Sequence, residues 1–265
     1  MTVSILGCGW YGKALGQALT AKGFTVKGSA TSNDKLDSLA ALGIEPFLTH
    51  AEATGLSADP TFFDCDVLVI SIPPRFRQGE SAEYLPKLGH VIGAIRRHGI
   101  KKVIYTGSTG VYGDINSEVN ELTDPQPNPG TGTILLEAEG LFEAETTFKT
   151  AILRFGGLIG EGRDPGGFFA DKTGIPNGRA PVNLIRLDDC VGITKEAIEK
   201  DAFGHVFNAC SPEHPPKAEF YRAAAAKAGL PLPDFNDELL DWKIVNSVNV
   251  PGILGYKFTT SLIEH

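Results

Sequence analysis

A glycine-rich hexapeptide close to the first residue constrains the fold more than any other feature of the sequence. Its residues are Gly7, Cys8, Gly9, Trp10, Tyr11 and Gly12. The hexapeptide follows an apolar run at residues 3–6 and opens a helical pattern at residues 13–19. A G-x-G-x-x-G sequence between a strand and a helix predicts a loop that holds the pyrophosphate of a dinucleotide at the start of the helix. The alternative for such a loop is a glycine-rich turn without a ligand.

The length and the charge of the chain narrow its class. With 265 residues, 42% of them hydrophobic, it can bury the core of one large α/β domain, or of one domain with a smaller annex. Its formal net charge of −8 opposes binding to nucleic acid or to an anionic membrane, because the protein as a whole repels both. No apolar run approaches the roughly 20 residues of a membrane helix, and no basic leader is evident. We therefore expect a cytoplasmic protein that binds a small-molecule substrate, with its oligomeric state left open.

The cysteines and histidines show no spacing typical of a metal or redox site. Cys8, Cys65, Cys190 and Cys210 lie far apart and form no C-x-x-C pair, so neither a zinc site nor a redox pair is indicated. The six histidines form no ligand or triad spacing. We expect reduced thiols and no metal ion.

Strand and helix patterns alternate through the first half of the chain. After the first strand and helix, short apolar runs predict further strands at residues 24–28, 44–48, 66–71, 102–106 and 151–155. Helical spacing separates most of them, at residues 34–42, 85–99 and 134–142. This alternation predicts a Rossmann-type, doubly wound parallel sheet with the strand near Thr2 at its centre. The ligands of such a sheet bind at the carboxyl ends of its strands.

The composition changes near residue 155, where glycines begin to interrupt regular patterns. We therefore expect residues 1–155 to form the dinucleotide-binding domain. Residues 156–265 are expected to complete the sheet and to form a smaller substrate-side subdomain, with an alanine-rich helix near residues 218–228 and a strand near 242–245.

The end of the second predicted strand bears on the choice of dinucleotide. An acidic residue is typical there in NAD-binding loops, where it accepts a hydrogen bond from the ribose. This chain has Ser29, Thr31 and Ser32 instead, with Lys35 close by. The absence of a carboxylate favours NADP over NAD, although an ordinary loop with Asp34 as a helix cap also explains the pattern. At the end of the fourth predicted strand, a further set of cofactor contacts is expected from Ser71, Ile72 and Pro73.

Several longer stretches resemble one known family. Residues 105–114 (YTGSTGVYGD) and 120–129 (NELTDPQPNP) are similar to motifs of the extended short-chain dehydrogenases/reductases, the NAD(P)-dependent epimerase/dehydratase group. Residues 153–160, 184–191 and 204–208 match further motifs, in the family's order and over nearly the whole chain. The resemblance implies a Rossmann fold that binds NAD or NADP.

The same resemblance reveals a missing pair of residues. Members of this family use a Tyr to transfer a proton and a Lys four residues later to lower its pKa. Those positions fall here on Gly130 and Ile134, and none of the six tyrosines has a Lys four residues on. The family's serine is matched by Ser108, which could also simply satisfy a backbone group at the end of its strand. The pattern is similar to that of the atypical branch of the superfamily, whose members keep the fold and lose the usual active-site residues.

Other polar residues are candidates for a substrate site. Arg75 follows the fourth predicted strand, while Arg163 and Lys172 belong to the glycine-rich segment that covers the substrate in related enzymes. Because the family's catalytic Tyr is missing, another group would have to carry the proton, and Glu121 and Tyr112 are less favoured candidates for it. Ser108 is the candidate to orient a substrate oxygen. Simple solvation of these charges, or a role of Glu121 in tying down its loop, is the alternative.

Two functions from different classes remain open at this point. One is an NAD(P)-dependent oxidoreductase, or an epimerase/dehydratase-like enzyme, that acts on a small sugar-type or anionic substrate. The other is a catalytically inactive sensor or regulatory module that binds the dinucleotide. Ser108 and Arg75 favour the first function, whereas Gly130 and Ile134 favour the second.

Overall fold

The fold is an α/β sandwich built on one large sheet. A computed structural model describes residues 1–262, without the side chain of Arg77. Its strands are β1 (Thr2–Leu6), β2 (Thr25–Ala30), β3 (Glu45–Glu52), β4 (Gly55–Ala58), β5 (Val67–Ile70), β6 (Lys102–Ser108), β7 (Ser117–Val119), β8 (Lys149–Phe155), β9 (Gly157–Ile159), β10 (Leu184–Arg186), β11 (Val206–Ala209) and β12 (Lys243–Val245). Its helices are α1 (Trp10–Ala21), α2 (Leu36–Ala40), α3 (Ser81–His98), α4 (Thr131–Glu143), α5 (Leu187–Glu199), α6 (Lys217–Lys227) and α7 (Asn249–Gly252).

Within the described residues, eight strands form the main sheet in the order β11-β8-β6-β5-β1-β2-β3-β4. All neighbours are parallel except β3 and β4, which form an antiparallel hairpin at one edge. The chain runs outward from β1 to β3, crosses back over β1, and continues outward in the other direction from β5. The predicted doubly wound parallel sheet is therefore confirmed. Its topological switch point lies between β1 and β5, where folds of this kind bind their ligands.

Helices cover both faces of the sheet, which explains why its central strands are apolar throughout. All four residues of β5 are buried, as expected for a parallel strand with helices above and below. One core cluster includes Leu15 of α1 and Ile193 of α5. The other includes Leu88 of α3 and Phe142 of α4. Full burial of each such side chain stabilises the fold by roughly 1.5–3 kcal/mol.

The second part of the chain both extends the main sheet and forms a small core of its own. Strand β11 joins the sheet beside β8, while β9 pairs with β10 and β7 with β12 in two small parallel sheets. The small core is a cluster of apolar side chains from several segments. It consists of Ile159, Ile175, Val182, Leu184, Phe220, Tyr221, Phe235 and Leu262.

Asp189, at the start of α5, fixes the C-terminal segment to the rest of the fold. Its buried carboxylate accepts hydrogen bonds from the Tyr256 hydroxyl at 2.8 Å, from the Thr259 backbone N–H at 2.9 Å and from the Thr260 hydroxyl. The hydrogen bonds of this carboxylate are therefore used to hold the fold together. None of the helices described here is long and apolar enough to cross a lipid bilayer.

The hairpin strand β4 was not expected from the sequence. Residues 55–58 read Gly-Leu-Ser-Ala, which is neither a continuous apolar run nor a clear alternation. The strand exists because β3 extends to Glu52 and turns back on itself, so pairing with β3 rather than local propensity determines it.

Candidate functional site

A cavity of about 920 Å³ opens at the carboxyl edge of the main sheet. It is lined by residues from the ends of β1, β2, β3, β5, β6 and β8, so it spans the switch point of the topology. The glycine-rich loop between β1 and α1 lies on its wall, because all six residues of that loop line it. The position is the one at which an open α/β sheet binds its ligand.

The first and last glycines of the loop are fixed by close packing. Gly7 has a φ of +93°, and a Cβ placed on it would lie 2.4 Å from the Ser71 carbonyl oxygen. A Cβ on Gly12 would lie 3.0 Å from the Gly7 carbonyl oxygen and 3.1 Å from the Ile5 side chain. A side chain is therefore excluded at Gly7, where the loop turns, and would be crowded at Gly12, where α1 approaches β1.

The middle glycine differs from the other two because it faces open space. A Cβ placed on Gly9 would meet nothing within 4 Å. Gly9 precedes α1, whose first N–H groups have no intrahelical acceptor. No side chain among the described residues caps this helix, and its first turn carries no acidic residue. The loop thus offers an uncovered, electropositive helix start beside a position without a side chain, which fits a pyrophosphate.

Ser29, at the end of β2, lines the cavity and also supports the glycine loop. Its hydroxyl oxygen accepts a hydrogen bond from the Gly7 backbone N–H at 2.8 Å, and the residue is only 4% exposed. Ser32 does not line the cavity, and its hydrogen bond lowers the pKa of the Asp34 carboxyl. Thr31 and Lys35 line the cavity and are exposed. They are therefore the more accessible side chains at this end of the cavity.

The ends of β5 and β6 supply the next part of the wall. Ser71, Ile72 and Pro73, which were expected to contact the cofactor, line the cavity. The Ser71 N–H donates to the Leu6 carbonyl at 2.8 Å. Ser108 also lines it, with its hydroxyl oxygen accepting from the Gly110 N–H at 3.1 Å. This bond leaves the Ser108 O–H free to donate toward the cavity.

Cys8 and Tyr11 line the cavity, but neither is suited to transfer a proton near neutral pH. Burial raises the pKa of the Cys8 thiol to about 12, although nearby Lys13 opposes the shift. Burial also raises the pKa of Tyr11, whose hydroxyl is hydrogen-bonded to the Thr194 hydroxyl at 2.6 Å. Both side chains are part of the packing beneath the loop.

A cluster of four charged side chains lines the cavity on the side of α3. Lys87 donates to Glu80 at 2.7 Å and lies 3.2 Å from Glu83, while Arg75 lies 3.4 Å from Glu80. Burial acts to lower the pKa of Lys87, but its bonds to the two carboxylates outweigh burial and the pKa is raised. Of this cluster, only Arg75 was predicted from the sequence.

Four predicted site residues do not line the cavity: Ser32, Tyr112, Glu121 and Lys172. The Glu121 carboxylate accepts from the backbone N–H groups of Asn208 and Val248, both at 2.8 Å, and from the Ser247 hydroxyl. The Lys172 ammonium donates to the Phe168 carbonyl at 3.0 Å. These bonds of Glu121 match the alternative stated for it, in which the carboxylate ties down its loop.

Tyr112 belongs to a buried network outside the cavity. Its hydroxyl accepts from Arg154 at 2.6 Å and donates to the Asn120 carbonyl at 2.9 Å. Arg154 in turn pairs with Glu139 at 2.7 Å, with both side chains almost fully buried. Burial raises the pKa of Tyr112 in spite of the neighbouring cation. The hydroxyl is therefore committed to structure and is not placed to carry a substrate proton.

Gly130 and Ile134, onto which the resemblance places the family's Tyr and Lys, are also absent from the lining. Gly130 precedes α4 with a φ of +93°, and Ile134 lies in the first turn of that helix. A side chain at Gly130 would be strained by this backbone conformation. The cavity therefore has no proton-transferring group at that end of α4.

One relative in sequence is a bacterial protein. The chain is 35% identical over 263 residues to the protein YeeZ of Escherichia coli strain K12. The match covers 97% of this chain and 95% of that protein. None of the protein-family models matches the sequence.

Solved structures of epimerases share the fold. UDP-glucuronic acid 4-epimerase from Bacillus cereus, in complex with NAD, superimposes with a TM-score of 0.78 at 20% identity. UDP-glucose 4-epimerase from Thermotoga maritima, with UDP-glucose, gives a TM-score of 0.79 at 16% identity. Each comparison covers 99% of this chain and 95% of the other. These similarities show that the entire chain has the fold of this group.

Proposed function

Because the chain belongs to the family of the Escherichia coli protein YeeZ and has the fold of the NAD-bound epimerases, we propose that it is an NAD(P)-dependent oxidoreductase or epimerase/dehydratase-like enzyme. It would belong to an atypical branch of the short-chain dehydrogenases/reductases. One observation carries the proposal: the open position at Gly9 beside the uncapped start of α1, in a cavity at the switch point of the sheet.

In this proposal the glycine loop holds the pyrophosphate, and the ends of β2 and β5 hold the rest of the cofactor. Gly7 through Gly12 supply backbone N–H groups, while Ser71, Ile72 and Pro73 line the wall beyond them. The bound dinucleotide supplies the hydride donor or acceptor. The residues of this chain bind and orient the reactants and, in the enclosed part of the cavity, exclude water.

NADP is proposed over NAD, on a narrower set of residues than the sequence suggested. Thr31 and Lys35 line the cavity at the end of β2 and are exposed, whereas Ser29 is almost fully buried and Ser32 does not line the cavity. A cation at the position where NAD-binding loops typically carry a carboxylate favours a 2′-phosphate over a 2′-hydroxyl.

Titration calorimetry with both dinucleotides tests this preference. We expect NADP to bind about tenfold or more tightly than NAD, since a charge-assisted contact contributes roughly 1.5–3 kcal/mol. Lys35→Gln should remove most of the difference and leave NAD affinity unchanged. Lys22→Gln is a control of the same charge change at an exposed residue outside the cavity lining. Equal affinities of the wild type for both dinucleotides would contradict the preference.

The substrate is proposed to be a small sugar-type or anionic molecule. The cavity holds two arginines, Arg75 and Arg163, and the free hydroxyl of Ser108. The two epimerases with the same fold are named for UDP-glucuronic acid and UDP-glucose, which combine sugar and anion. Ser108 would orient a substrate oxygen, and the arginines would meet the anion. Because a positioned acid or base contributes about 10² to 10⁴ in rate, turnover without the Tyr is expected to be slow rather than absent.

A screen of sugar and carbonyl substrates with both cofactors tests for turnover. Where a rate is found, Ser108→Ala should lower kcat, and Arg75→Ala should raise KM for an anionic substrate. Lys172→Ala is the matched control, since it removes a cation that does not line the cavity. Tight dinucleotide binding without any turnover would favour the alternative function, a sensor or regulatory module, which the loss of Tyr and Lys at Gly130 and Ile134 supports.

A further inference from the structure

Trp10 connects two parts of the cavity that the sequence assigned to different ligands. It is the first residue of α1, within the glycine loop, and it was expected to contact the cofactor. Its indole Nε1–H donates to the Glu161 carbonyl at 2.7 Å, across 151 positions of sequence. The Arg163 guanidinium lies over the same ring, with its Cζ 5.4 Å from the ring centroid. Arg163 was expected to contact the substrate.

The backbone of the turn at residues 160–163 is shaped around the indole. Gly160 and Gly162 have φ values of +151° and +72°, and Gly160 bridges to Arg163 in antiparallel fashion. A Cβ on Gly160 would lie 3.3 Å from the Trp10 ring, and one on Gly162 would lie 3.8 Å from its nitrogen. A side chain at Gly160 would crowd the indole and one at Gly162 would lie in ordinary contact with it, so the turn and the ring fit each other.

Arg163 is left free to bind an anion. The guanidinium lines the cavity and is exposed, and it forms no ion pair with any carboxylate among residues 1–262. Arg75, in contrast, already faces Glu80. The contact with the indole holds the Arg163 side chain over the ring without neutralising its charge.

We infer that Trp10 is a positioning residue that presents Arg163 to a carboxylate or phosphate group of the substrate, and that it couples this anion subsite to the cofactor loop. The inference rests on the proposed function, because that proposal supplies the second ligand, the dinucleotide. A cofactor that orders the glycine loop also orders Trp10, and Trp10 orders the turn that carries Arg163. By reciprocity, each ligand then favours binding of the other.

Calorimetric titration of inorganic phosphate into the full chain saturated with NADP tests the inference. We expect wild-type protein to bind phosphate and Arg163→Gln to lose that binding. Trp10→Phe keeps a ring but removes the donor to Glu161, so phosphate affinity should fall about three- to tenfold. Trp10→Ala should lose more, and recovery of part of the affinity by the Phe variant separates positioning from general destabilisation. Trp242→Phe is the matched control, at the chain's other tryptophan.

NADP affinity, measured in the same variants, distinguishes coupling from a role in the cofactor loop alone. We expect it to change less than threefold in Trp10→Phe while phosphate affinity falls. Unchanged phosphate affinity in Trp10→Phe, absence of phosphate binding to wild type, or a parallel fall of both affinities would overturn the inference. If neither dinucleotide binds, the proposed function fails. The same variants titrated with phosphate alone then test whether Trp10 positions Arg163.

Discussion

The glycine loop and the start of α4 both carry glycines beside family motifs, yet the structure treats them in opposite ways. In the loop, Gly7 is locked against the Ser71 carbonyl and Gly9 opens onto the cavity. At α4, Gly130 has open space around it and does not line the cavity. The first region offers an open position beside a helix start within the cavity, whereas the second has no side chain and lies outside the cavity lining.

This difference teaches that binding and proton transfer can be separated in this fold. The pyrophosphate site depends on backbone N–H groups and on the absence of side chains. It therefore persists without any particular functional group. Proton transfer depends on one side chain in one place, and the position onto which the resemblance places the family's Tyr holds a glycine with a positive φ.

The largest effect is expected at Gly7. Gly7→Ala would place a Cβ 2.4 Å from a backbone oxygen at a φ of +93°. We expect a loss of about 3 kcal/mol or more in the free energy of unfolding and loss of dinucleotide binding, because strain and overpacking add. Thermal and denaturant unfolding measure the first effect. Gly23→Ala is the control: its φ is +85° with nothing within 4 Å of the Cβ. A loss at Gly7 no larger than that at Gly23 would contradict the packing argument.

A smaller loss of stability is expected for Glu121→Gln. The carboxylate accepts from two backbone N–H groups and a hydroxyl, and an amide would turn a donor toward one of those donors. One unsatisfied buried group costs about 1–3 kcal/mol. Denaturant unfolding should detect this loss, while NADP affinity stays within twofold of wild type. A large fall in turnover without a fall in stability would return Glu121 to the list of proton carriers.

Gly130→Ala gives the counterpart of the loop experiments. The backbone at Gly130, with φ +93° and ψ −115°, should cost an alanine about 1–3 kcal/mol of stability, and no contact adds to that strain. Since Gly130 does not line the cavity, NADP affinity should not change. A fall in NADP affinity larger than threefold would place this end of α4 in the cofactor site and remove the contrast between the two regions.

Local patterns were enough to predict the sheet and the cofactor loop. The loop is determined by residues within one strand, one turn and one helix, and the apolar runs mark the buried strands. Most predicted cofactor residues, together with Ser108, Arg75 and Arg163, do line one cavity.

The partners of polar side chains could not be predicted in the same way. The Glu121 carboxylate bonds to Asn208, which lies 87 positions away, and Trp10 bonds to Glu161 across 151 positions. Nothing local distinguishes a carboxylate that ties down a loop from one that faces a substrate. Ser29 shows the same limit at shorter range, because the hydrogen bond that its hydroxyl accepts from the Gly7 N–H was not predicted from the sequence.

Gly9→Ala tests the central claim, that the open position at the start of α1 binds a dinucleotide. The added Cβ meets no protein atom within 4 Å. The free energy of unfolding of the variant should therefore lie within about 1 kcal/mol of the wild-type value. Calorimetric titration should show NADP affinity reduced tenfold or more, because the methyl group occupies the space of the pyrophosphate. Gly140→Ala in α4 makes the same change in equally open space outside the cavity and should leave the affinity unchanged. An affinity of Gly9→Ala equal to that of Gly140→Ala would contradict the account.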